Sequence, residues 1–221
     1  MNLFVSLILA LTAAASSLRA DNYQPELYLS AELLYENEFE TDGPHHVGKH
    51  WVIRQETQWQ VVDGILVGSS ATKEYQKRMQ AIDPTHDGTR PVIFLKPVPS
   101  ELILRLRLRY TGEVGEWSRA QLDLGHHINS FIFAADRTKL TLDRKEKIFI
   151  DGDFFAPNTW AEVTIELKEG KLLIQINDRK EIIEHEMVTL KTDRPIQQVD
   201  FKGLHHGTIE IDWIKVYQGI E

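Results

Sequence analysis

Between Leu102 and Tyr110 every even-numbered residue is apolar (Leu102, Leu104, Leu106, Leu108, Tyr110), while Ile103, Arg105, Arg107 and Arg109 take the other parity. Successive side chains of an extended chain point to opposite faces, so this segment has one apolar face and one row of guanidinium groups. A helical period of 3.6 would scatter the arginines into a core. A strand buried on one face only belongs to an antiparallel sheet packed against a second layer.

The same period recurs at Ala120, Leu122 and Leu124, at Leu140 and Leu142, at Ala161, Val163, Ile165 and Leu167, and at Leu172, Ile174 and Ile176. Asp63-Gly64 between Val61-Val62 and Ile65-Leu66-Val67 predicts a type I′ hairpin, because both central residues tolerate positive φ. Glu169-Gly170 predicts another. Ile209 to Tyr217 is apolar on both parities, which predicts either a bulge near Asp212 or cover on both faces. One helix is expected, over Thr72 to Ala81. Surface turns are expected at Asp83 to Gly88 and at Asp151-Gly152-Asp153. These elements predict an all-β, two-sheet antiparallel sandwich.

A chain of 221 residues with 42% apolar content can build one such core. We expect a single domain over residues 33–219 behind a short polar lead at 21–32. Residues 1–20 have the form of a signal peptide: Leu3 to Ser16 is apolar or small, and Leu18-Arg19-Ala20 precedes Asp21. Export to the periplasm or beyond is therefore expected, with no membrane attachment once the signal is removed. There is no cysteine, so the core must hold the fold without disulfides. A net charge of −8 repels phosphate backbones and argues against nucleic acid as a partner.

Two motifs carry a family resemblance: Trp59-x-Val61-x-Asp63-Gly64-x-Leu66, and Gly207-Thr-Ile-Glu210-Ile-Asp212-Trp213-Ile-Lys215-Val216. Together they resemble the concanavalin A-like lectin and glucanase superfamily, and within it exported bacterial domains grouped with the 3-keto-disaccharide hydrolase family. The resemblance spans Leu33 to Tyr217. It implies a jelly roll and a carbohydrate or sugar derivative as partner. Arg119-Ala-Gln-Leu-Asp123-Leu-Gly125-His126-His127 stands where that family carries Asn-Ser-Gly, so the site has to be read from this chain's own residues.

Three readings of the site follow. In the first, a polar sheet face with Arg105, Arg107, Arg119, Asp123 and His127 grips sugar hydroxyls or a uronate, because guanidinium forks suit carboxylates. Trp117 and Trp51 would stack on sugar rings. Cross-strand pairing of the arginines with Asp123, Glu162 or Glu166 is the plainer account of that row. In the second, the chain is a glycoside hydrolase with His126, Asp123 or Glu210 as acid or base. Glu210-Ile-Asp212 matches the start of a glucanase E-x-D-x-x-E pattern, with Lys215 where the last acid belongs. In the third, an exposed sheet edge makes a non-catalytic scaffold for another protein. The adjacent pairs His45-His46, His126-His127 and His205-His206 have no metal-ligand spacing. No cofactor is expected beyond a possible structural calcium at Asp151-Gly152-Asp153.

Overall fold

The computed structural model describes residues 23–45, 49–112, 120–133, 137–152, 155–156, 158–190 and 197–221. In chain order the first elements are β1 (Ser30–Asn37), β2 (Gly43–Pro44), β3 (Trp51–Ile53), β4 (Gln58–Val62), β5 (Ile65–Ser69), α1 (Lys73–Ile82), a 3-10 turn at Pro84–His86 and β6 (Val92–Leu95). Then come β7 (Leu102–Thr111), β8 (Ala120–Leu124), β9 (Asn129–Phe133), β10 (Arg137–Leu142) and β11 (Glu146–Asp151). The last five are β12 (Ala161–Lys168), β13 (Lys171–Ile176), β14 (Arg179–Glu184), β15 (Val199–Lys202) and β16 (Thr208–Ile220). The leader expected at 1–20 lies outside the described residues.

Two antiparallel sheets result. One runs β14-β13-β12-β7-β16-β5-β4-β2, with β1 also paired to β16, and the other runs β11-β10-β9-β8-β15-β6-β3. The Leu face of β7 lies in the common core with Leu122 and Leu124 of β8, Phe131 of β9, Ile165 of β12 and Phe201 of β15. The β4–β5 turn has Asp63 at φ 51° and Gly64 at φ 75°, as the type I′ reading requires. Thr72 caps α1 by accepting from the Tyr75 amide. The ambiguity in the last strand resolves as a bulge: the β7–β16 register slips between Ile211 and Trp213, so Asp212 and Trp213 both face outward.

Residues 23–28 lie across the outer face of the nine-stranded sheet. Glu166, buried in β12, accepts from the Tyr23 hydroxyl and from the backbone amides of Glu26 and Leu27 at 2.5–3.0 Å. Tyr28 packs with Ile103 and Tyr217 in a small second core there. In the main core Phe131 is fully buried. Phe131→Ala is expected to cost about 3–5 kcal/mol from lost burial plus cavity, read as a lower urea midpoint at unchanged slope.

Candidate functional site

The outer face of the seven-stranded sheet carries a polar cluster on its middle strands. In β8 Ala120, Leu122 and Leu124 turn inward, leaving Gln121 and Asp123 outside; in β15 Val199 and Phe201 turn inward, leaving Asp200 and Lys202 outside. The register sets Asp123 directly opposite Asp200 and Gln121 opposite Lys202. Two carboxylates facing each other on adjacent strands repel unless something answers them. Lys202 does so, with Nζ 2.5 Å from Asp123 Oδ2 and 3.9 Å from Asp200 Oδ2.

Directly after β8 the chain turns through Gly125-His126-His127-Ile128. Gly125, His126 and His127 have φ of 70°, 25° and 73°. Positive φ is routine for glycine and strained for histidine, at roughly 1–3 kcal/mol per residue. The turn is pinned by Gly125 N to Gln198 O (2.7 Å), Ile128 N to Gly125 O (2.8 Å) and Asp143 N to Ile128 O (2.6 Å). Held this way, each ring meets a different carboxylate: His126 Nδ1 lies 2.8 Å from Asp200 Oδ2, and His127 Nδ1 lies 3.1 Å from Asp123 Oδ2. The rings touch, with centroids 4.4 Å apart, and Phe94 sets its edge against His126.

Both carboxylates are 0% exposed, yet their environments pull them apart. For Asp123 burial opposes ionisation, but His127, Lys202 and Ser130 together overcome it and hold the carboxyl well below the usual carboxylate range. Ser130 Oγ donates to Asp123 Oδ1 at 2.5 Å and Gln121 Nε2 does so at 2.7 Å. For Asp200 burial wins, supported by repulsion from Asp123 and only partly offset by His126, Gln198 and Lys202, so its carboxyl is raised. A pair of acids driven in opposite directions is a recurrent sign of acid–base chemistry.

Above the cluster is a cleft of about 430 Å³. Its floor is Gln121, His126, His127 and Lys202; its walls include Arg54, Phe94, Arg90 and His205 and the loop from Pro84 to Thr89. Because the carboxylates take Nδ1 of each histidine, Nε2 is the nitrogen left to face a ligand. His86, on the opposite wall, is likewise oriented by an acid, Asp83, at 2.6 Å.

The single groove expected from Arg105, Arg107, Asp123 and His127 is not formed. β7 lies in the nine-stranded sheet and β8 in the other, so the arginine row and the histidines open on opposite sides of the sandwich. For Arg107 and Arg109 the answering acids come from β16. Arg107 pairs with Asp212 and Arg109 with Glu210. Trp160 lies beneath both guanidinium groups at 4.8 and 4.6 Å, and Tyr23 of the lead lies 4.4 Å from that of Arg105. Glu210, expected alongside His126 and Asp123 as an acid or base, pairs with Arg109 on the far sheet, away from both. Because the Arg107–Asp212 side chains are about one-third exposed, a double-mutant cycle on this pair by urea unfolding is expected to return a coupling of about 0.2–1 kcal/mol.

Trp51, expected to stack on a sugar, is 3% exposed and donates Nε1 to the Tyr35 hydroxyl at 2.7 Å within the core. Trp117 and Arg119 lie outside the described residues, as do Asp153 and His46. At the turn proposed for calcium, Arg179 donates to the Asp151 carbonyl and packs over Gly152, so a guanidinium already supplies the positive charge. Among the described residues no group of three or more His, Asp or Glu is arranged to hold a metal ion, and no helix is long and apolar enough to cross a membrane. Asp200, Lys202 and Arg90 were not singled out from the sequence. Alternation in Val199-Asp200-Phe201-Lys202 marks a strand, but it carries no sign that its partner holds a second buried acid.

Compared with solved structures, the chain superposes on several glycan-degrading enzymes. The laminarinase from Rhodothermus marinus matches over 87% of this chain and 99% of its own, at a TM-score of 0.57 and 12% identity. The β-glucanase of Bacillus licheniformis matches over 83% and 97%, at 0.56 and 6% identity. A structure described with endo-acting O-glycanases of the human gut microbiota matches over 86% and 100%, at 0.59 and 9% identity. The fold is the concanavalin-like jelly roll. At these identities the likeness extends to the fold alone. No family model matches the sequence, and no curated protein matches it.

Proposed function

We propose that this chain is an exported carbohydrate-processing protein, and that it breaks a glycosidic bond in the cleft over His126 and His127. The observation that carries the reading is the pair of His–carboxylate couples set side by side at the cleft floor. Each buried acid takes Nδ1 of one ring, which leaves Nε2 as that ring's other nitrogen, and both residues line the cleft. The fold supports a sugar as the ligand, since the superposed structures include a laminarinase and a β-glucanase.

The chemistry differs from hydrolysis by two exposed carboxylates, which act directly on the sugar from either side of the bond. Here Asp123 and Asp200 are sealed, and Asp87, the one acid among the described lining residues, is engaged by Thr89 N and Oγ1 at 3.0 and 2.7 Å. Imidazoles therefore do the proton transfer, which suits a sugar bearing a ketone, as in the 3-keto-disaccharides named by the sequence resemblance. A ketone at C3 acidifies the hydrogen on C2. One ring takes that proton, the C–H pair becomes a C1=C2 double bond, and the C1–O bond breaks as the second ring protonates the departing oxygen. Water then adds, its hydroxyl to C1 and a proton to C2, and both rings return to their starting state.

A panel of plain disaccharides, 3-keto-disaccharides and β-glucan oligosaccharides tests this, with released sugar measured by chromatography. Release from the keto sugars at least tenfold faster than from the plain ones is expected. No release from any member would overturn the reading.

A further inference from the structure

Asp87, Thr89 and His205 line the cleft described above, and they also line a second, open recess of about 600 Å³. Its other wall is α1, through Lys73, Gln76, Lys77 and Gln80. These residues fall at i, i+3, i+4 and i+7, the spacing that gathers four side chains on one face of a helix. In most surface helices that stripe is apolar and packed on the core; here it reads Lys-Gln-Lys-Gln.

The core contact is left to Tyr75 and to Gln76, which is buried and donates its amide to Ala71 O at 2.7 Å. Lys73 Nζ donates to Gln76 Oε1 at 3.2 Å, a neutral acceptor. Lys77 stands one turn further on, exposed. Two like charges one helical turn apart repel, and an anion seated between them reverses the sign. Among the described residues lining the recess the one carboxylate is Asp87, already engaged by Thr89.

The neighbouring cleft adds Arg54 and Arg90 against Asp87 among its lining residues, its Lys202 being taken up by Asp123. The whole chain carries a net charge of −8. Its general field therefore repels an anionic glycan, and these joined cavities provide a local exception.

We infer that the recess is a second subsite of the same binding site, and that it takes an anionic sugar unit, a uronate or a sulfated sugar. The substrate is then an acidic oligosaccharide that reaches from α1 across the Thr89–His205 wall to the two histidines. Thr89 and His205 hold that wall with a 3.0 Å hydrogen bond, and His206 N donates to Thr89 O at 3.1 Å. The inference deepens the reading of the preceding section and rests on it.

Titration calorimetry with three tetrasaccharides tests it: a neutral β-1,3-glucan, a tetragalacturonate and a sulfated galactan. The protein would be wild type, the double variant Lys73→Gln/Lys77→Gln, and Lys145→Gln as a charge control on an exposed turn elsewhere. Glutamine is nearly as good a helix former as lysine, so α1 is retained. At least one acidic ligand is expected to bind about tenfold more tightly than the neutral one. The double variant is expected to lose about tenfold for that ligand and less than twofold for the neutral one, with the control unchanged. Preference between the two acids identifies the anionic group. Equal affinity for all three, no binding of either acid, or indifference of acidic-ligand affinity to the double variant overturns the subsite. Turnover that dies with His126 and His127 but ignores Lys73 and Lys77 would remove this inference and leave the proposed function standing; lysine-dependent binding with turnover indifferent to both histidines would do the reverse.

Discussion

His126→Asn and His127→Asn are each expected to reduce sugar release by about 10²–10⁴-fold, the usual range for losing a positioned acid or base. Asparagine is the replacement of choice, because both positions have positive φ and asparagine tolerates that region better than alanine. Thermal unfolding should move by only a few degrees, since both rings are partly exposed at the cleft floor. The double variant should be little worse than either single one, because two groups that act as a unit fail together. Full activity in either single variant would remove the histidines from the reaction.

The second large effect separates the two acids by stability. Asp123→Asn leaves the largely buried Lys202 ammonium without its nearest counter-charge, which costs about 3 kcal/mol. For a chain of this size that is a fall in Tm of roughly 6–12 °C. Asp200→Asn should shift Tm by no more than about a third as much. The pH dependence follows from the opposite directions of the two shifts. Asp123, lowered in the fold, contributes stability above its unfolded value of about 3.9, and that contribution is lost as pH falls towards its folded value. The gap between wild type and Asp123→Asn should therefore be widest near neutrality and narrow below about pH 4. Asp200, raised in the fold, contributes its share fully only below about pH 3.9 and loses it as pH rises through the folded value, so its replacement costs least at neutral pH. Equal melting curves for the two variants across pH would contradict this split.

Most of the architecture was legible because local rules decide it. Alternation in β7, β8, β12 and β13, the Asp63-Gly64 turn and the helix after Ala71 each depend on residues close in sequence. The bulge at Asp212 was legible as a clash of parities, although choosing it over two-sided cover required the partner strand. The site was half legible. His126, His127 and Asp123 stood out together, but Asp123 serves His127 and not His126, because the strained turn carries His126 across to Asp200. That contact spans 74 positions and the one from Lys202 to Asp123 spans 79, so no local pattern could announce either. The arginine row misled for a related reason: parity shows that a face is polar, not whether a neighbouring strand and a crossing segment already occupy it.

That crossing segment sets a limit on how the chain can be shortened. Glu166 has no water to turn to, and its donors are Tyr23, Glu26 and Leu27. A cut between Tyr23 and Tyr28 would strand a negative charge inside and expose the rings of Tyr28 and Tyr217. Residues 23–28 are thus a fastener for the nine-stranded sheet, and tags or fusions placed directly ahead of them need a spacer that lets the segment close.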